Sequence, residues 1–126
     1  MARAVLIVDD EQHIRLLIEQ TLEELLDEDV ELYTAADGDE ALSAIAAQRP
    51  DLVFLDVMMP GRSGLEVCRA VRANPELAGC HIVLLTAKGQ AHDREEGLAA
   101  GADEYLTKPV DPDALLALAR TVLGPA

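Results

Sequence analysis

The sequence predicts an α/β domain, a parallel sheet with helices on both faces. Three observations carry this. Short, β-branched apolar runs recur along the chain, as strands buried on both faces require. Between them lie segments whose apolar residues repeat at helical spacing. Strand and helix alternate strictly, and right-handed crossovers between parallel strands place helices on both sides of a sheet. The 126 residues hold five such units, which suits one compact domain over residues 1–126 and leaves no linker, repeat or low-complexity segment.

Val5-Leu6-Ile7-Val8 is the first strand, and Ile14, Leu17, Ile18, Thr21, Leu22 and Leu25 follow on one helical face. A second strand is read near Val30 to Thr34, interrupted by Glu31. Asp37-Gly38 turns the chain into a helix carrying Ala41, Leu42, Ile45 and Ala46. Pro50-Asp51 punctuates before the strand Leu52-Val53-Phe54-Leu55. Pro60-Gly61 and Gly64 shape a loop into the helix Leu65 to Ala73, which Asn74-Pro75 ends. Ile82-Val83-Leu84-Leu85 is the fourth strand and Glu104-Tyr105-Leu106-Thr107 a short fifth. Asp111-Pro112 opens a last helix through Leu123. Between Gly89 and Gly101 the helical signal is poor: Leu98 and a few alanines are its apolar residues, and Gly97 lies inside it. A glycine there costs about 1 kcal/mol relative to alanine, so this helix is read either as locally weak and suited to being displaced or as merely short and exposed.

Half the residues are apolar but only 2% are aromatic, so the core must be built from Leu, Val, Ile and Ala. The net charge of −14 argues against direct, unaided binding to nucleic-acid phosphates and favours cationic partners, metal ions included. Cys68 and Cys80 have neither metal-ligand spacing nor the pattern of a disulfide framework. The first ten residues offer Arg3 and a short apolar run before acids, unlike a secretory signal. Nothing approaches a membrane span, and the expected location is cytoplasmic.

In an open α/β sheet, ligands bind beyond the carboxyl ends of the strands. Here the first strand ends in Asp9-Asp10-Glu11, the third in Asp56 and the fourth in Thr86, while the fifth runs into Lys108. Each alone has an ordinary reading as a helix cap, turn former, loop hydroxyl or solvated charge. Together they sit at one edge of the sheet. Two carboxylates about 4 Å apart repel by about 4 kcal/mol at an effective dielectric near 20, so three acids there call for a cation. Hard oxygen ligands without a soft partner suit Mg²⁺ or Mn²⁺. Lysine plus a divalent cation would then attract an anion such as a phosphoryl group.

Four strings, Val8-Asp9-Asp10-Glu11, Leu55-Asp56-Val57-Met58-Met59-Pro60-Gly61, Leu85-Thr86-Ala87-Lys88 and Tyr105-Leu106-Thr107-Lys108-Pro109, occur in an order and spacing that resembles CheY-like response-regulator receiver domains. The resemblance covers essentially the whole chain. It implies a flavodoxin-like (βα)5 fold with strand order 2-1-3-4-5. It implies Asp56 as phosphoacceptor, with Asp9, Asp10, Asp56 and the backbone carbonyl of Met58 around Mg²⁺. Lys108 and Thr86 would contact the phosphoryl oxygens, Thr86 and Tyr105 would switch together, and Lys108-Pro109 would be a cis peptide.

The implied donor is a phosphohistidine on a sensor histidine kinase or histidine phosphotransfer protein, or a small acyl phosphate. The implied output is a partner or effector domain at the face of the fourth helix, fifth strand and fifth helix, in a monomer or a phosphorylation-dependent homodimer. Direct nucleic-acid or membrane binding is not expected, nor catalysis beyond the chain's own phosphorylation and dephosphorylation. Met58 and Lys88 stand where the fast-decaying chemotaxis regulator carries an amide and an acid, which implies a longer-lived acyl phosphate. Phosphatases of the haloacid-dehalogenase type carry a second Asp two residues after the nucleophile, where this chain has Met58. Receiver-like modules that are never phosphorylated lose the acidic pair, the acceptor or the lysine, and this chain keeps them all.

Overall fold

The structure, a computed structural model, describes residues 3–87 and 91–124, with side chains described from Glu95 onward in the helix that begins at Ala91. Five strands, β1 (Arg3–Val8), β2 (Val30–Ala35), β3 (Leu52–Asp56), β4 (His81–Thr86) and β5 (Glu104–Thr107), alternate with five helices. These are α1 (Gln12–Leu22), α2 (Gly38–Gln48), α3 (Gly64–Ala73), α4 (Ala91–Ala100) and α5 (Pro112–Leu123). All strand pairs are parallel, in the order β2-β1-β3-β4-β5. This is the doubly wound fold that the sequence predicts.

The central strands β1, β3 and β4 are buried almost throughout, which is why they read as unbroken apolar runs. The edge strand β2 is buried only at its two ends, leaving Glu31 and Thr34 exposed, and β5 is half-buried. Side-chain alternation divides the interior into two cores. Leu6, Val8, Val53, Leu55, Ile82 and Leu84 face α2, α3 and α4. Val5, Ile7, Leu52, Phe54, Val83 and Leu85 face α1 and α5.

Three helices start as their sequences dictate. The side chains of Asp37, Ser63 and Asp111 accept backbone N–H groups of Glu40, Glu66 and Asp113, and Pro112 occupies the first turn of α5. Two details differ from the sequence reading of the first helix. Leu17 is exposed, because the buried stripe runs through Ile18, Leu22 and Leu25 with Ile14 packed beside it. Beyond Leu22 the chain tightens into a 3₁₀ helix, Glu23–Glu28, that ends on Asp29 in the left-handed conformation. In α2, Ala46 is exposed while Ala41 and Ile45 are buried.

The amino edge of the sheet is tied by arginines. Arg72 of α3 donates to the carbonyls of Ala78, Cys80 and Gly101 and to the Asp103 carboxylate at 2.6–2.7 Å. Arg3 donates to the carbonyls of Glu28, Leu123 and Gly124. Cys68 and Cys80 are buried free thiols, and burial pushes the Cys68 thiol up to about 11. No helix among the described residues is long and apolar enough to cross a membrane.

Candidate functional site

Parallel strands send all their carboxyl ends to one edge, and there the structure brings Asp9, Asp10, Asp56, Thr86 and Lys108 together. By strand alternation, Asp9, Asp56 and Lys108 continue the rows that face α1 and α5, whereas Thr86 continues the row of Ile82 and Leu84 that faces α4. One carboxylate oxygen from each of Asp9, Asp10 and Asp56 lies within 4.8 Å of the others. Asp9 and Asp56 are buried and Asp10 is exposed.

Lys108 bridges the two buried acids, its Nζ 2.9 Å from Asp9 Oδ2 and 3.2 Å from Asp56 Oδ1. The contact with Asp56 is a hydrogen bond. That with Asp9 is an ion-pair approach without hydrogen-bond alignment, so the buried Asp9 Oδ2 lacks a hydrogen-bond donor. Burial above all, then the Asp9 carboxylate, drives the Asp56 carboxyl up to about 7, against the partial relief Lys108 gives. Burial works against the Lys108 ammonium, but the nearby Asp9 and Asp56 carboxylates prevail and hold its pKa above the ordinary value. One lysine thus serves the two buried acids of a cluster of three. A misaligned buried oxygen, an Asp56 carboxyl pushed toward neutrality and an all-oxygen donor set fit a small divalent cation.

Each site residue is fixed by the backbone around it. Asp9 N–H donates to Ala35 O at 3.2 Å, Glu11 N–H to Asp9 Oδ1 at 2.9 Å, and Arg15 reaches back from α1 to Asp9 O at 2.6 Å. Met58 N–H donates to Asp56 Oδ1 at 3.3 Å, while Met58 as a whole is 69% exposed. The loop after Asp56 closes through Gly64 N–H to Val57 O at 3.0 Å. A Cβ on Gly64 would meet the backbone of Asp56 and Val57, so a glycine is required there. Lys108 N–H donates to Thr86 O at 2.7 Å and is followed by a cis bond to Pro109, as the family resemblance implies.

Thr86 is buried, and Tyr105 is half-buried against the core that faces α4. Tyr105 pairs in register with Leu84, two residues before Thr86 on the same side of β4, so Tyr105 and Thr86 belong to the same face of the sheet. The helix α4 packs differently from its sequence reading. Leu98 is exposed, whereas Gly97 and Ala100 are buried, and the Leu84 side chain fills the place a Cβ on Gly97 would take. Lys88 and Gly89 lie outside the described residues, as does the side chain of His92. His13 is exposed beside Glu11, and His81 bonds Glu104 at 2.6 Å near the opposite edge, so neither joins the site.

Arg15 and Gly64 support the site without having been singled out in the sequence as its members. A signal existed for Gly64, which stands at the start of a helix where alanine would be the better former.

Residues 5–120 match the family model for the response regulator receiver domain. Among solved structures, a chain from Chloroflexus aurantiacus J-10-fl described as a response regulator is 34% identical, with 98% of each chain covered and a TM-score of 0.89. The chemotaxis response regulator CheY4 of Vibrio cholerae is 37% identical over 97% of this chain and 99% of its own, with a TM-score of 0.85. The receiver domain of DrrB in a BeF3-activated form is 31% identical over 98% of both chains, with a TM-score of 0.84.

Proposed function

Because this chain belongs to the response regulator receiver family of two-component signalling, we propose that it works as a single phosphoacceptor module with Asp56 as the acceptor. The observation that carries this reading is the Lys108 ammonium shared between the buried carboxylates of Asp9 and Asp56. Such an arrangement is poorly balanced by itself and suits a site that takes up a cation and then an anion.

In this reading Asp56 attacks phosphorus in line. A new bond forms from a carboxylate oxygen to phosphorus while the bond to the imidazole nitrogen of a phosphohistidine, or to the leaving carboxylate of a small acyl phosphate, breaks. Asp9, Asp10, Asp56 and the carbonyl of Met58 would hold Mg²⁺, or Mn²⁺ in its place. When bound, the cation supplies neutralising charge to the acids and the incoming phosphoryl oxygens. Lys108 moves its bond from Asp56 to a phosphoryl oxygen, and Thr86 donates its hydroxyl to another. Turning the Thr86 hydroxyl toward the phosphoryl group frees space for the Tyr105 ring and shifts the α4-β5-α5 face that an output partner or a second copy reads.

The donor is a sensor histidine kinase or histidine phosphotransfer protein in the cytoplasm, and catalysis is confined to the chain's own phosphorylation and dephosphorylation. The BeF3-activated state described for DrrB supports expecting a tetrahedral anion on Asp56 here. The test is intact-mass spectrometry after incubation with acetyl phosphate and Mg²⁺. One added phosphoryl group in the wild type and none in Asp56→Asn is the expected result. A persistent adduct in that variant, mapped to another residue, would overturn the assignment.

A further inference from the structure

We propose that Gly38 and Arg62 form a clasp seating the acceptor loop, which makes Gly38 a positioning residue for metal binding at Asp9, Asp10 and Asp56. The inference rests on the reading of that cluster given above and adds residues outside it. Residues 57–63 leave β3 at Asp56, and the contacts of Gly64 with Asp56 and Val57 close the mouth of this loop. Val57 N–H donates to Leu85 O at 3.2 Å and Met59 packs against the core, but neither sets how the loop sits against the start of α2.

That contact is made at Arg62. Gly38, the first residue of α2, lies so near that a Cβ built on it would stand 2.5 Å from Arg62 Cβ and 2.6 Å from Arg62 O. Real Cβ atoms are not found at such distances, and the nearer groups are a backbone oxygen and a first side-chain carbon, which cannot swing aside. Beside this contact, Arg62 Nε donates to Asp39 Oδ1 at 2.8 Å. Arg62 and Asp39 are largely exposed, so their ion pair contributes little stability and serves to orient the loop.

Backbone freedom does not explain the glycine. Gly38 is absent from the positive-φ residues among those described, and Asp37 already caps the helix. Alanine would be the better helix former at this position. Glycine is kept where it costs helix stability and admits the loop, and this loop carries both the Met58 N–H that holds Asp56 Oδ1 and the Met58 carbonyl assigned to the cation.

Gly38→Ala and Arg62→Gly test the clasp. In metal-free protein, NMR should show amide shifts at residues 57–63 and at the start of α2 in both variants. Gly38→Ala should melt below the wild type, opposite to its helix propensity. It should weaken Mg²⁺ binding by about tenfold, the low end for outer-shell partners. Phosphoryl uptake should slow at limiting Mg²⁺ and recover at saturating Mg²⁺. Arg62→Gly adds no atoms, so it reports even if Gly38→Ala fails to fold, and it should weaken Mg²⁺ binding by about threefold. Unmoved loop amides with wild-type Mg²⁺ affinity in both variants would sink the clasp alone. A wild type that binds no Mg²⁺ would bring down the functional reading together with the clasp's part in it.

Discussion

Replacing Asp56 with asparagine should make the metal-free protein more stable. Burial and the Asp9 carboxylate raise the Asp56 carboxyl from 3.8 to about 7. A carboxyl whose folded pKa lies above its unfolded value favours the folded state when protonated. That contribution is whole below about pH 4 and is lost as the pH rises through about 7. The displacement caps the cost of the ionised side chain at about 4 kcal/mol. Asparagine removes this cost, which already includes the relief from the Lys108 bond at 3.2 Å, but satisfies the buried partners of the carboxyl imperfectly, a loss of about 1–3 kcal/mol. Lys108 keeps Asp9 at 2.9 Å. The net gain should be about 1–3 kcal/mol at about pH 8, or a rise in Tm of about 4–12 °C for a domain of this size.

The assay is urea unfolding of both proteins in chelator between about pH 5 and 8.5. The gap between the two should widen from the acid end up to about pH 7 and stay level above it. Added Mg²⁺ should stabilise the wild type by mass action and the variant much less. Parallel pH profiles, or a variant less stable than wild type at the alkaline end without metal, would refute the argument that unrelieved charge strains this site.

Lys108→Ala should leave the fold and Mg²⁺ binding largely intact while slowing phosphoryl uptake or its propagation, because the ammonium competes with a cation for Asp9 and Asp56. Intact-mass time courses beside a Mg²⁺ titration check this, and unaltered uptake and switching would make Lys108 a mere surface charge. Asp10→Ala removes an exposed carboxylate of the cluster and should cost Mg²⁺ affinity about tenfold or more. Amide shifts at residues 9–10 and 56–58 at wild-type Mg²⁺ concentrations would contradict it. The acyl phosphate should last minutes or longer, since the thioether of Met58 cannot orient an attacking water, and Met58→Asn with Lys88→Glu should shorten it. A tenfold change needs only about 1.4 kcal/mol, and a double variant that decays no faster than wild type would dismiss both positions.

The strands were legible because three of the five are buried on both faces and therefore read as continuous apolar runs. The strand order was not: alternation implies a parallel sheet, and 2-1-3-4-5 came from the family resemblance. The helix α4 read poorly because it packs through Gly97 and Ala100, where the contact is made by missing side-chain atoms that no hydropathy pattern registers. The 3₁₀ helix Glu23–Glu28 was hidden by four acids around Leu25 and Leu26. Asp9, Asp56, Thr86 and Lys108 stood out because polar residues directly after apolar runs must emerge at one sheet edge. Arg15 and Arg62 did not, since one acts on a carbonyl six residues back and the other on a helix that precedes it by 24 residues.

The Arg72 network has a mechanical consequence. It fastens the carboxyl end of α4, through Gly101 and Asp103, to α3 and to the segment entering β4. The other end of α4, at Ala91, lies on the side where β4 finishes in Thr86. A helix bolted at its foot and pushed at its head tilts like a lever, with Leu84 in the Gly97 notch as the point it rocks over. A small movement of a hydroxyl at the rim would then be magnified along the outer surface of the helix, while the base of the molecule stays still.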